Sequence, residues 1–321
     1  MTPDRCRSLL PAMAWAPLVR ALAVAVPFAL TLVMTTPADG DGIRLPGRLA
    51  VTAPAGKISH RAPQAPQAPR APQPQSQPQS LPLMAAGRSF GGTPAVGALF
   101  VRNGSAALGT HFCSASVVDS PSGNLVLTAA HCLNGLAADQ LSFVPGYHDG
   151  LAPYGVWAVR RMITDQRWAA SSDPDDDFAF LEVSPPARLA WGARVQDITG
   201  GEVLGGESAG GPVTVIGYPN SRRSPIFCRN RARPFAGKQL EFACDGYAEG
   251  TSGSPLLADV NPATWLGTVV GVIGGYERGG HTSDVSYAAR FGGAIGALYQ
   301  AASALSVWAA AVGGRPARPP G

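Results

Sequence analysis

Charge is scarce in this chain. Only 14% of its 321 residues are Asp, Glu, Lys or Arg, too few for a solvated, disordered polymer. The formal net charge of +4 is small for this length and argues against a nucleic-acid partner. Arg222, Arg223, Arg229, Arg231 and Arg233 make one local basic stretch, which reads as a solvated loop. Cysteine is also scarce, with five in all. No two of the four outside the N-terminal segment have the C-x-x-C spacing of a zinc site, so no zinc site is expected. Repeated strand–helix alternation is missing as well.

Glycine and proline are abundant instead, at 39 and 30 residues, with 45% of the chain hydrophobic. Short strands joined by Gly/Pro turns fit this composition, and a sandwich or barrel is the economical architecture.

At the N-terminus, Arg5, Arg7 and Arg20 precede an uncharged apolar run from Ala21 to Met34. Basic residues followed by a short apolar core describe an export signal over 1–38. It is either cleaved after small residues ending at Ala38, or retained as a membrane anchor if the span starts at Leu9. Residues 39–87 include RAPQAPQAPRAPQPQSQPQS, which has nothing to build a core and reads as an extended linker or pro-segment. The folded unit is expected over 88–312, with 313–321 as a tail. Cys113, Cys132, Cys228 and Cys244 lie downstream of the signal, and an even set there reads as two disulfides in an oxidising compartment. Proximity favours Cys113–Cys132 and Cys228–Cys244 among the three connectivities that four cysteines allow. A secreted, periplasmic or cell-envelope location follows.

Three segments carry chemistry. Leu125–Cys132 is a β-branched apolar run ending Thr-Ala-Ala-His131-Cys132, so a strand delivers an imidazole at its end. Imidazole titrates near neutrality and suits a base that takes a proton and returns it. Asp173-Pro-Asp-Asp-Asp177 runs into Phe178, Phe180 and Leu181, so the carboxylate of Asp177 enters apolar surroundings and needs a partner. Asp173, Asp175 and Asp176 read as a solvent loop or a weak calcium site. Glu249-Gly250-Thr251-Ser252-Gly253-Ser254-Pro255 places Ser252 in a glycine-flanked turn before a strand. The N–H groups of Gly250 and Ser252 can there converge on one point.

Together these segments resemble the trypsin-like (chymotrypsin-fold) serine proteases. His-Phe-Cys113 followed by Ser-Ala-Ser-Val-Val, the run TAAHC, Asp177-Phe-Ala-Phe-Leu and Gly-Thr-Ser-Gly-Ser-Pro are each similar to that family's motifs, in its order. Val215-Ile-Gly-Tyr-Pro219 and Tyr287-Ala-Ala-Arg-Phe291 fit a bacterial branch that includes the glutamyl endopeptidases. The likeness spans Val96 to Trp308. It implies an all-β fold of two packed six-stranded antiparallel barrels with a C-terminal helix, which the Ala-rich segment 288–312 fits. It also implies a serine endopeptidase with His131, Asp177 and Ser252 as a triad, and Gly250 and Ser252 as the oxyanion hole. The substrate is then a protein or peptide, and no metal or organic cofactor is required. A specificity pocket is expected from Asp245, Gly246, Glu249, Ile273 and Gly274. Thr251 stands where the animal enzymes carry an aspartate, so activation through a new N-terminal ion pair is not expected.

Two other readings compete. An α/β-hydrolase esterase needs the order Ser, Asp, His, and only Asp259, Asp284 and His281 follow Ser252 as triad partners. A trypsin-fold binding protein without activity is the other, and it is normally marked by a replaced triad residue.

Overall fold

The computed structural model describes residues 84–102, 108–190 and 192–312. The expected export signal (1–38), residues 39–83 of the expected 39–87 linker and the expected tail (313–321) lie outside the described residues. The last four linker positions, 84–87, are described, and Ala85 and Gly87 pair their backbones with Asp245.

The first barrel is built from β2 (Val96–Val101), β3 (His111–Val117), β4 (Leu125–Thr128), β5 (Leu141–Pro145), β6 (Trp157–Thr164) and β7 (Ala179–Ser184). It closes in the order β2-β3-β4-β7-β6-β5, with every pairing antiparallel. The second uses β9 (Gly211–Gly217), β10 (Ile226–Phe235), β11 (Gln239–Ala243), β12 (Pro255–Ala258), β13 (Thr268–Ile273) and β14 (Val285–Arg290). Its ring runs β9-β10-β11-β14-β13-β12 and returns to β9. Two short strands sit on it, β1 (Arg88–Ser89) against β10 and β8 (Val203–Leu204) parallel to β13. The expected pair of six-stranded barrels is therefore present.

Burial of both strand faces explains why these runs do not alternate cleanly in polarity. Along β2, Leu99 joins Val117, Val126, Phe143 and Leu181 in one core. Val96, Ala98 and Phe100 point the other way, into a second core shared with Ile216, Tyr218, Leu257 and Phe291 of the second barrel. That shared layer is the seam between the barrels. A third core around Val215, Leu240, Phe242, Leu256 and Ala288 fills the second barrel.

The helix α3 (Gly293–Val312) lays Ile295, Leu298 and Ala302 on the seam, at the spacing that keeps one helical face inward. It starts later than the Ala-rich composition suggests. Ala288 and Ala289 belong to β14, because pairing with β11 and β13 closes the barrel and outweighs alanine's helix propensity. The basic stretch is likewise no loop over its second half. Arg229, Arg231 and Arg233 occupy alternate exposed positions of β10, where a two-residue period carries their side chains outward.

Candidate active site

His131 lies in a single 3-10 turn, Ala130–Leu133, directly after β4. The disulfide Cys113–Cys132 ties that turn to β3, with the Cα atoms 6.3 Å apart. Cys228–Cys244 joins β10 to the end of β11. Both sulfurs beside His131 are committed to the disulfide, so they offer no thiolate to a metal ion.

Asp177 closes the turn before β7 and is 0% exposed. Its two oxygens accept three hydrogen bonds. The backbone N–H of His131 donates to Oδ1 at 2.8 Å, the ring Nδ1–H of His131 to Oδ2 at 2.7 Å, and the N–H of Gly275 to Oδ2 at 2.7 Å. Donation by Nδ1–H leaves Nε2 of a neutral ring as the free acceptor. The imidazole side chain keeps 11% of its surface exposed. Gly274 stands behind the carboxylate, where a Cβ would come within 2.9 Å of Asp177 Oδ2.

The other acidic residues of this loop are not all solvent residues, and among the described residues Asp173, Asp175 and Asp176 do not converge as a group of metal ligands. Asp176 is 1% exposed, and the Arg167 guanidinium clasps it, with Nη2 and Nε each 2.7 Å from a carboxylate oxygen. Burial, aided by Asp165, still holds its carboxyl above the usual range. Asp173 caps its own turn by accepting from the N–H of Asp175. Asp175 accepts from Gln239 Nε2 at 2.7 Å, and Gln239 Oε1 in turn accepts the N–H of Tyr276. The loop bearing Asp177 is thereby tied to the second barrel.

Ser252 occupies the turn before β12. The carbonyl of Ser252 accepts from the N–H of Ser114 at 2.7 Å. The hydroxyl of Ser114 donates to the Gly250 carbonyl at 3.0 Å and accepts from the N–H of Tyr218 at 2.9 Å. Two successive residues of β3 therefore hold both halves of the site, Cys113 the histidine turn and Ser114 the serine turn. Gly253, at φ +82°, has no room for a side chain, because a Cβ would run into the Ser114 carbonyl and the Thr128 hydroxyl. Among the described residues, the N–H groups of Gly250 and Ser252 donate to no backbone carbonyl, and no hydrogen bond joins the Ser252 hydroxyl to His131. Thr251 is buried and donates its hydroxyl to the Ala248 carbonyl within the same turn.

The expected pocket residues have different partners. Ile273 is buried and exchanges backbone hydrogen bonds with Gly253 and Ser254, and Gly274 abuts Asp177. Asp245 is exposed, accepts from the Ser283 hydroxyl at 3.1 Å, and pairs its backbone with Ala85 and Gly87. Gly246 follows it at φ +99°, and Glu249 is exposed with its carbonyl accepting the N–H of Asn220. Sequence reasoning missed Ser114, Gln239 and the Gly275 amide. Only Ser114 had a nearby signal, its place in the strand His-Phe-Cys-Ser.

Residues 86–292 match the family model for trypsin. Among solved structures, the protease Anisep from Arthrobacter nicotinovorans is 25% identical, with a TM-score of 0.58, covering 68% of this chain and 100% of that one. A thermostable serine protease, AL20, from an extremophilic microorganism is 24% identical, with a TM-score of 0.55, covering 66% of this chain and 98% of that one. A Glu endopeptidase is 15% identical at a TM-score of 0.52, covering 68% of this chain and 97% of that one, and so shares the fold. The search of curated proteins found no match.

Proposed function

The chain belongs to the trypsin family of serine endopeptidases, and on that premise we propose that Ser252 is its nucleophile, His131 its base and Asp177 the carboxylate that orients the base. The observation that most supports this is the buried Asp177 carboxylate on Nδ1–H of His131. A carboxylate there keeps Nε2 unprotonated and stabilises the imidazolium that forms during reaction.

The Ser252 hydroxyl attacks the scissile carbonyl carbon while His131 Nε2 takes its proton. The carbonyl oxygen becomes an oxyanion facing the N–H groups of Gly250 and Ser252. Losing one such donor typically costs about 2.7–4 kcal/mol in the transition state. Collapse expels the amine, which takes the proton back from His131, and leaves an ester on Ser252. Water, deprotonated by the same nitrogen, then releases the acid. Docking of the two barrels is a condition for this chemistry, because His131 follows β4 and Asp177 precedes β7 of one barrel, whereas Ser252 precedes β12 of the other.

Substrates are proteins or peptides. The specificity pocket is assigned to the surroundings of Gly246 and Glu249, with Asp245 near its rim and Ile273–Gly274 along the edge that meets the substrate backbone. The disulfides fit an oxidising compartment, and export, with or without a retained anchor, accounts for them.

A fluorophosphonate probe tests the assignment. Wild-type protein is expected to be labelled and Ser252→Ala is not. Equal labelling of both, or of neither in the native state, overturns it.

A further inference from the structure

A cavity of about 830 Å³ reaches the serine turn through Asn220, whose N–H donates to the Glu249 carbonyl, and neither Asp245 nor Gly246 lines it. His111, Tyr147, Gly150, Asn220, Arg222 and Arg223 contribute to its lining. Among the described residues neither arginine is in an ion pair. The nearby carboxylate of Asp149 is engaged by the Ser224 hydroxyl at 2.7 Å. Both arginines are exposed, and each guanidinium has one hydrogen-bonded anchor. Arg222 Nη1 donates to the Ser89 hydroxyl at 3.1 Å, and Arg223 Nη2 donates to the Asp149 carbonyl at 3.0 Å. Gly150, at φ +84°, makes the space, since a Cβ there would fall on Arg223 Nη2. His111 donates Nε2–H to the Pro219 carbonyl at 3.0 Å and anchors the start of the loop. Burial holds its imidazole below the ordinary range, so the cationic groups of the cavity are the two arginines.

The position of this cavity relative to Ser252 gives it a role. On one side of the serine turn, the N–H of Gly253 donates to the Ile273 carbonyl, and the chain continues to Gly274 and Gly275. On the other side, Asn220 packs its N–H and Cβ against Gly250 and hydrogen-bonds the Glu249 carbonyl. The arginines therefore lie on the Asn220 side of the serine turn, opposite Ile273–Gly275, which is the side left for the residues after the scissile bond if the residues before it run along Ile273–Gly275.

We propose that Arg222 and Arg223 form a carboxylate subsite on the leaving-group side, so that the enzyme prefers Asp or Glu within the first few residues after the cleaved bond. This rests on the catalytic reading above. Guanidinium groups suit a carboxylate because their planar forks donate two parallel hydrogen bonds. The carboxylate can belong to a side chain or to a peptide's own C-terminus, and the test separates the two.

The experiment profiles cleavage of a peptide library by mass spectrometry, with Glu or Gln at each of the first three positions after the cleaved bond. Every peptide is made as free acid and as C-terminal amide. Active sites are counted with the fluorophosphonate probe. Amidated Glu peptides are expected to exceed amidated Gln peptides by about tenfold in kcat/KM. The ratio should shrink in high salt and collapse to near one in Arg222→Gln/Arg223→Gln. Preference only for free-acid peptides assigns the subsite to the C-terminus and overturns the side-chain preference. Labelled enzyme that cleaves Glu and Gln peptides equally overturns the subsite alone. Wild type that neither labels nor cleaves overturns the catalytic reading, and the subsite with it. If the double variant does not fold, the salt dependence of the wild-type ratio decides.

Discussion

Two carboxylates, Asp177 and Glu202, are both wholly buried where the barrels meet, and the fold treats them differently. Asp177 receives three N–H donors, two from His131 and one from Gly275. Glu202 receives one, from Gly267 at 2.6 Å, and its Oε1 has no partner. Its backbone bonds to Val117 and Asp119, beside β3, while its side chain reaches the segment before β13. Burial pushes its carboxyl up to about 8. The lesson concerns supply. A buried carboxylate with enough donors aimed at it has its lone pairs satisfied, whereas one left short, as Glu202 is, is pushed toward its protonated form. The first arrangement suits chemistry. The second ties the back of the seam together and makes its strength depend on pH.

The comparison breaks most visibly at the better-supplied carboxylate. Asp177→Asn keeps the shape but presents an amide to three donors, which favours the wrong ring tautomer at His131. The expected loss in kcat is about 10⁴-fold, read from steady-state kinetics on any cleaved peptide. A loss below tenfold would remove Asp177 from the mechanism.

Glu202→Gln sharpens the contrast in the opposite direction. The folded protein holds a proton on Glu202 up to about pH 8, whereas the unfolded chain releases it near 4.5. Wild-type stability therefore falls as pH rises through that window. Glutamine has no proton to lose, so the variant should be more stable than wild type at pH 8–9, by on the order of a few kcal/mol. The difference should vanish below about pH 4, where both states of the wild type are protonated. Urea unfolding at the two pH values measures it, and equal midpoints at pH 9 would contradict the assignment.

The smallest effect is expected between these two places, at Ser114. Ser114→Ala strands the Tyr218 N–H and the Gly250 carbonyl, at a cost of about 1–3 kcal/mol. Because the hydroxyl grips the turn that carries Ser252, kcat should fall along with the unfolding midpoint. A change in stability with kcat intact would make Ser114 a packing residue only.

Legibility in the sequence followed the range of each interaction. The strand ending at His131, the glycine turn at Ser252 and the carboxylate entering an apolar run at Asp177 are local patterns, readable within about eight residues. The two disulfides join cysteines separated by only 19 and 16 positions. Partners that are backbone amides leave no such trace, since every residue but proline carries one. That is why the Gly275 donor was invisible, and why Asp176 read as a solvent residue until Arg167 closed over it. Strand β10 was obscured for a related reason. Its outward arginines made a buried barrel strand look like a basic loop, although Ile226, Cys228 and Ala232 face inward.

By itself, then, the order of residues determined which side chains of this protein can do chemistry, where turns must form, and that the fold is built of strands. Those properties depend on residue type and near neighbours. Tertiary structure alone decided which donors reach Asp177, that Glu202 is left short of them, and that Arg222 and Arg223 face a cavity beside the serine turn. The contacts at the two carboxylates join residues 46, 65 and 98 positions apart, and the free energy of a buried charge is set by whatever closure of the sheets brings within hydrogen-bonding distance.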